Sequence, residues 1–126
     1  MKSQRCHLTY LIVLFFTSAL VLTAAEASAF ERVLENQVRQ GDWVNAENTL
    51  RRAEQRCTRQ QNADACLTKV AFSRAWTFAK RAEREPANRT AYLQRARNGY
   101  LAILKQHPSH LATIDNLLLV LERLGD

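Results

Sequence analysis

From Phe30 to Gly125, apolar residues recur at intervals of three and four, and no stretch alternates apolar with polar for long enough to make a strand. Phe30, Val33, Leu34 and Val38 predict a first helix from about Ser28 to Gln40, and Gly41 can supply the left-handed residue that ends it. Asp42 then caps a second helix, with Trp43, Ala46, Leu50 and Ala53 along one stripe; it fades near Arg56. Gln60, Gln61, Asn62 and Asp64 mark a loop. A third helix starts near Asp64 and ends before Pro86, which forbids the helical conformation at Glu85. Its apolar set is wide: Leu67, Val70, Ala71, Phe72, Ala75, Trp76, Phe78, Ala79 and Ala82.

A turn over Pro86 to Arg89 leads to a fourth helix, from near Thr90 to the residue before Pro108, with Leu93, Ala96, Tyr100, Ile103 and Leu104 as its stripe. Ser109 is expected to cap a fifth helix that stops at Gly125. In it Leu111, Ile114, Leu117, Leu118, Leu121 and Leu124 form one stripe for burial. Leu119 and Val120 are left on another face, which predicts a covered surface. The cover is a second copy, a partner helix or the core itself. The fold class expected is all-α, with five helices joined by short turns and therefore antiparallel neighbours. Trp43, Trp76, Phe72, Phe78 and Tyr100 are expected in the core.

Ahead of this pattern lies a different one. Lys2 and Arg5 give a basic start, an uncharged and mostly apolar stretch covers residues 8–25, and two overlapping A-x-A sites follow, Ala25-Glu26-Ala27 and Ala27-Ser28-Ala29. That order is the secretory pattern, so residues 1–29 are read as a signal segment and 30–126 as one helical domain. The rival reading keeps residues 8–25 as a membrane anchor, since the run approaches the ~20 residues that span a bilayer. Cys6 precedes the apolar run, so it is not a lipoprotein cysteine. Cleavage would leave 97 residues, enough for a modest core only.

The chain has 18 basic and 12 acidic residues; without Lys2, Arg5 and Glu26 the helical part keeps 16 and 11, a net charge of +5. The charges are mixed along the helices, as in Glu31-Arg32 and Arg84-Glu85, which describes a solvated surface rather than a nucleic-acid-binding stripe. No nucleic-acid partner is expected. Cys57 and Cys66 are the cysteines left after cleavage. In an exported small domain an even pair favours a disulfide, and no C-x-x-C redox motif is present.

Two spacings repeat. Trp43-x-x-Ala46-x-x-x-Leu50-x-x-Ala53 matches Leu93-x-x-Ala96-x-x-x-Tyr100-x-x-Ile103, and Gln40-Gly41-Asp42 is echoed by Leu124-Gly125-Asp126. A small alanine lets a second helix come close, and the larger residue a turn later fills the space beyond. On these residues the chain resembles the tetratricopeptide repeat (TPR) family of helix–turn–helix units. Phe30 and Val33 match its first apolar pair, Gly41 its turn glycine, Ala46 and Ala96 its small packing residue, and Pro108 its closing proline. The resemblance implies a short α-solenoid of antiparallel helical hairpins. It also implies partner contacts on the inner face of each unit's first helix: Glu31, Glu35, Val38 and Arg39, and in the last helix Ala112, Asp115, Leu119 and Arg123.

No chemistry is legible. His107 and His110 flank a turn without further ligands, so no metal or cofactor is expected. Glu31/Glu35 and Glu83/Glu85 are carboxylate pairs of the kind charged helices produce. Glycine-rich phosphate loops and nucleophile elbows are absent, and no catalytic residue is assigned. Asn88-Arg89-Thr90 fits a glycosylation acceptor in a surface turn. The expectation is a small exported scaffold or adaptor, periplasmic or secreted, that binds a protein or peptide. A homodimer through the last helix is the variant of that expectation. By analogy with the family, its setting is assembly of an envelope or secretion machine. The alternatives are a membrane-tethered protein anchored by residues 8–25 and, third, an enzyme or metal-binding protein.

Overall fold

The computed structural model describes residues 29–125, and all regular structure among them is helical. The signal segment, its A-x-A sites and the anchor alternative over residues 8–25 lie, apart from Ala29, outside the described residues. The chain divides into two units, Met1–Arg32 and Val33–Asp126. The described part of the first unit is a few helical residues; the account below concerns the second.

Helix α1 covers residues 29–40. It is followed by α2 (Trp43–Cys57), α3 (Ala63–Arg84), a single 3-10 turn (Pro86–Asn88), α4 (Arg89–Gln106) and α5 (Leu111–Leu124). The punctuation follows local chemistry. Gly41 takes φ 72°, a left-handed conformation that costs a glycine nothing sterically. Its N–H donates to Val38 O, and the N–H of Asp42 donates to Gln37 O, which closes the end of α1. Asp42 caps α2 by accepting from the Asn45 N–H. Pro86 and the extended Glu85 before it stop α3. Gly125, at φ 79°, ends α5.

The cap of α5 differs from expectation. His110, not Ser109, is the N-cap, and its Nδ1 accepts from the Thr113 N–H at 3.3 Å. The imidazole lies against Phe72, with ring centroids 6.1 Å apart. The Thr113 hydroxyl also lies 2.8 Å from that Nδ1, so His110 meets both polar groups of Thr113.

Packing runs from each helix to the next: α2 on α3, α3 on α4, α4 on α5, with a minor contact of α3 on α5. The largest interface, α3 on α4, is made by small residues. Ala75, Ala79 and Ala82 of α3 meet Leu93, Ala96, Tyr100 and Ile103 of α4, joined by Leu117 and Val120 of α5. On the α2 side, Ala46, Leu50, Ala53 and Cys57 are buried, as are Leu34 and Val38 of α1. Ala46-Leu50-Ala53 and Ala96-Tyr100-Ile103, the two copies of the alanine-centred stripe, therefore both point inward. Helix α3 has neighbours on both sides, which explains its wide apolar set. It also buries Ser73 and Thr77, and the Thr77 hydroxyl donates to Ser73 O at 2.8 Å.

The register of α5 is rotated from the expected one. Its buried stripe is Thr113, Leu117 and Val120, with Ile114, Leu121 and Leu124 half-buried. Leu111 and Leu118, expected inside, are 74% and 59% exposed, whereas Val120, expected on the outer face, is 2% exposed. Tyr100 is buried as expected; Phe72, Phe78, Trp43 and Trp76 are half-buried.

Candidate functional site

Two surfaces carry features that core packing does not explain. The first is the outer face of α5. Leu111, Leu118 and Leu119 are exposed there, with Ala112, Asp115 and Glu122 among them. Helical spacing puts Ala112, Asp115, Leu119 and Arg123 on one arc. Arg123 is already engaged, donating to Glu83 of α3 at 2.8 Å, and so clamps the end of α5 to α3.

The second surface is a groove floored by α3 and flanked by α2 and α4, which do not touch each other. It comprises two stretches of about 570 Å³ and about 340 Å³ that share Arg74, Phe78 and Arg95. Small residues at Ala71, Ala75, Gly99 and Ala102 give the larger stretch its depth. Beside the smaller stretch, lined by Trp43, Glu47, Phe78, Arg81 and Arg95 among others, runs a row of rings and guanidinium groups. Arg81 lies over Tyr92 at 4.6 Å and over Trp43 at 5.5 Å; Arg95 lies over Phe78 at 5.6 Å and over Tyr92 at 5.9 Å. Phe78 and Tyr92 are themselves stacked, 6.3 Å apart and 15° from parallel.

The three arginines of this groove differ in what they already bind. Arg74 reaches across from α3 to two carboxylates of α2, Glu47 at 3.4 Å and Glu54 at 3.3 Å. Arg81 donates to Glu85 at 3.0 Å. Arg95 has ring partners and no carboxylate partner among the described residues. At the far end His107 Nε2 lies 3.2 Å from the Thr68 hydroxyl and 3.5 Å from Asp64, so this histidine is not a bare turn residue.

The residues expected to meet a partner are distributed as follows. Glu31 is half-buried on α1. Glu35 and Arg39 are exposed and paired with each other at 3.3 Å. Val38 is 5% exposed and belongs to the core, because α1 turns that edge inward together with Leu34. Val120 is core for the same reason of register. Neither valine can meet a partner that docks on this conformation. Ala112, Asp115 and Leu119 are exposed on α5.

Cys57 and Cys66 stand at disulfide distance, sulfurs 2.04 Å and Cα atoms 5.4 Å apart, across the loop between α2 and α3. Asn88 and Thr90 of the glycosylation-type motif are both exposed. Among the described residues no cluster of three His, Cys, Asp or Glu could hold a metal ion, and no helix is long and apolar enough to cross a membrane. Comparison with protein-family models, curated proteins and solved structures finds no match for this chain.

Proposed function

We infer that the protein is a small exported adaptor, a short row of TPR-like helical hairpins that binds a protein partner through its last helix. The observation that carries this reading is the outer face of α5. Three leucines, Leu111, Leu118 and Leu119, stand at least half exposed on that helix. Exposed apolar side chains gathered on one arc of a helix mark a surface that a partner covers. The solenoid character is supported by the two equal-spaced stripes, Ala46-Leu50-Ala53 and Ala96-Tyr100-Ile103, which are buried in both copies. Export is supported by the secretory pattern of residues 1–29 and by the paired cysteines, which persist in an oxidising compartment.

The test is co-purification from the native compartment of the wild type beside a Leu118→Arg, Leu119→Glu double variant. Both residues are exposed, so the variant should fold. Loss of the wild type's principal partner supports the reading, and full retention overturns it. A native mass equal to two chains in the wild type and one in the variant would identify the partner as a second copy. The apolar run over residues 8–25 supports one further reading, a tether to the membrane; an intact mass that includes Met1 in exported material would favour it over a cleaved, soluble adaptor.

A further inference from the structure

We propose, resting on the reading of α5 as a docking surface, that what covers it is a second copy of this chain: the outer face of α5 on one copy docks against the outer face of α2 on another. Apolar exposure gathers at the two ends of the helix row. Among the described residues the large hydrophobic side chains left exposed are Leu111, Leu118 and Leu119 on α5, Val44 on α2 and Val33 on α1, against Leu101 alone on α4. Helices α2 and α5 do not touch within one chain, so they can meet only across two copies. Each copy then uses a different patch, which makes the contact heterologous.

The two faces are opposite in charge. Beside the leucines of α5 stand Asp115 and Glu122, both exposed and without an ion-pair partner among the described residues. Arg123, the one cation of α5, is held by Glu83. Helix α2 is the reverse. Its acids, Glu47 and Glu54, turn to one flank, where both bond Arg74 of α3. Arg51, Arg52 and Arg56 are exposed, and helical spacing puts them in one arc with Val44, away from the buried Ala46, Leu50 and Ala53. No carboxylate pairs with these three arginines among the described residues. Arg52 and Arg56, four apart on the helix, repel each other, and carboxylates brought by a second copy offset that repulsion. Arginine stems are aliphatic, so they can lie over leucine while their heads reach the acids. Helices of 14 and 15 residues match in length, each roughly 20 Å. A contact one helix wide falls below about 1,200 Å², the range of weak and reversible association.

The experiment uses the purified exported protein, read by sedimentation velocity at rising concentration. The wild type should gain mass with concentration, and added salt should weaken the association, because exposed charges are screened. Two double variants, Arg51→Glu, Arg52→Glu on α2 and Leu118→Arg, Leu119→Glu on α5, should each stay at the mass of one chain. Their self-association should be at least about ten-fold weaker, with helical content by circular dichroism unchanged. Mixed in equal amounts, the two variants should recover a species of two chains, because the first keeps its α5 face and the second its α2 face. A wild type that stays at one chain, an α2 variant that associates as the wild type does, or a mixture of the variants that stays at one chain would each overturn the proposal. The adaptor reading is judged apart from it: a monomeric wild type whose co-purified partner is still lost in the Leu118→Arg, Leu119→Glu variant ends self-association and leaves the adaptor standing.

Discussion

A Cβ built on Gly99 would stand 3.0 Å from the Cβ of Ala75, closer than side-chain carbons ordinarily approach. Glycine in the middle of α4 is therefore a packing device: it lets α4 settle onto α3 along the alanine face. Two effects oppose each other on substitution. Alanine in a helix interior gains about 1 kcal/mol over glycine, and overpacking a close interface costs typically 1–3 kcal/mol. Here the contact is with the Cβ and backbone of another helix, not with a flexible tip, so overpacking wins. Gly99→Ala should lower stability by about 1 kcal/mol and Gly99→Val by more, measured by urea unfolding. A rise in stability for Gly99→Ala would mean that the helices are further apart than described.

Tyr100 presents the opposite case. Its side chain is fully buried against Phe72, and its hydroxyl finds no protein partner among the described residues. Burial pushes the phenol's pKa well above its usual value, so the group stays neutral. A buried hydroxyl without a partner loses its hydration and gains little in return. Tyr100→Phe should raise stability by about 1 kcal/mol, seen as a higher melting midpoint. A clear drop would show that the hydroxyl is bonded in solution.

The link between Cys57 and Cys66 closes a short loop, with a sequence separation of 9. Chain-entropy arithmetic for such a loop gives roughly 2.5 kcal/mol. The double variant Cys57→Ala, Cys66→Ala should lose about that much, and thiol labelling of the native wild type should find neither sulfur free. Two reactive thiols in exported protein would refute the pairing.

The register of α5 can be tested by truncation. Val120→Ala should cost about 1–3 kcal/mol because it opens a cavity among Ala96, Tyr100 and Leu117. Leu118→Ala and Leu119→Ala, on the exposed arc, should each stay within about 0.5 kcal/mol of the wild type. Reversal of that order would restore the arrangement in which Leu118 faces inward.

Loss of His110 should be felt locally. His110→Ala removes the acceptor for the Thr113 N–H and should cost about 1 kcal/mol; Ser109→Ala should be neutral. Equal losses from both would spread the cap over two residues.

Most of the helix boundaries were legible because special residues set them: Gly41, Asp42, Pro86 and Gly125 act through backbone rules that hold in any context. The inward stripes of α2 and α4 were legible for a similar reason, since only one arc of each is apolar. Helix α5 was not, because residues 117–121 are all apolar and admit more than one inward arc. The arc is decided by Thr113, which is fully buried and continues the spacing to Leu117, Val120 and Leu124. A reading that sorts threonine with polar residues passes over it, and it passes over Ser73 and Thr77 likewise. The groove was illegible for a geometric reason. Phe78 and Arg95 are far apart in the chain, and their meeting depends on how closely α3 and α4 pack.

Because each helix leans chiefly on the one before it, nearly every contact joins segments close together in the chain. Such a topology needs little loop closure before its first favourable contacts, and chains of this kind gather their structure quickly. A polypeptide emerging N-terminus first from a ribosome or a translocation channel could dock each new helix on its predecessor as it appears. Helix α5 would then settle only once α4 is in place, since α4 supplies most of its packing.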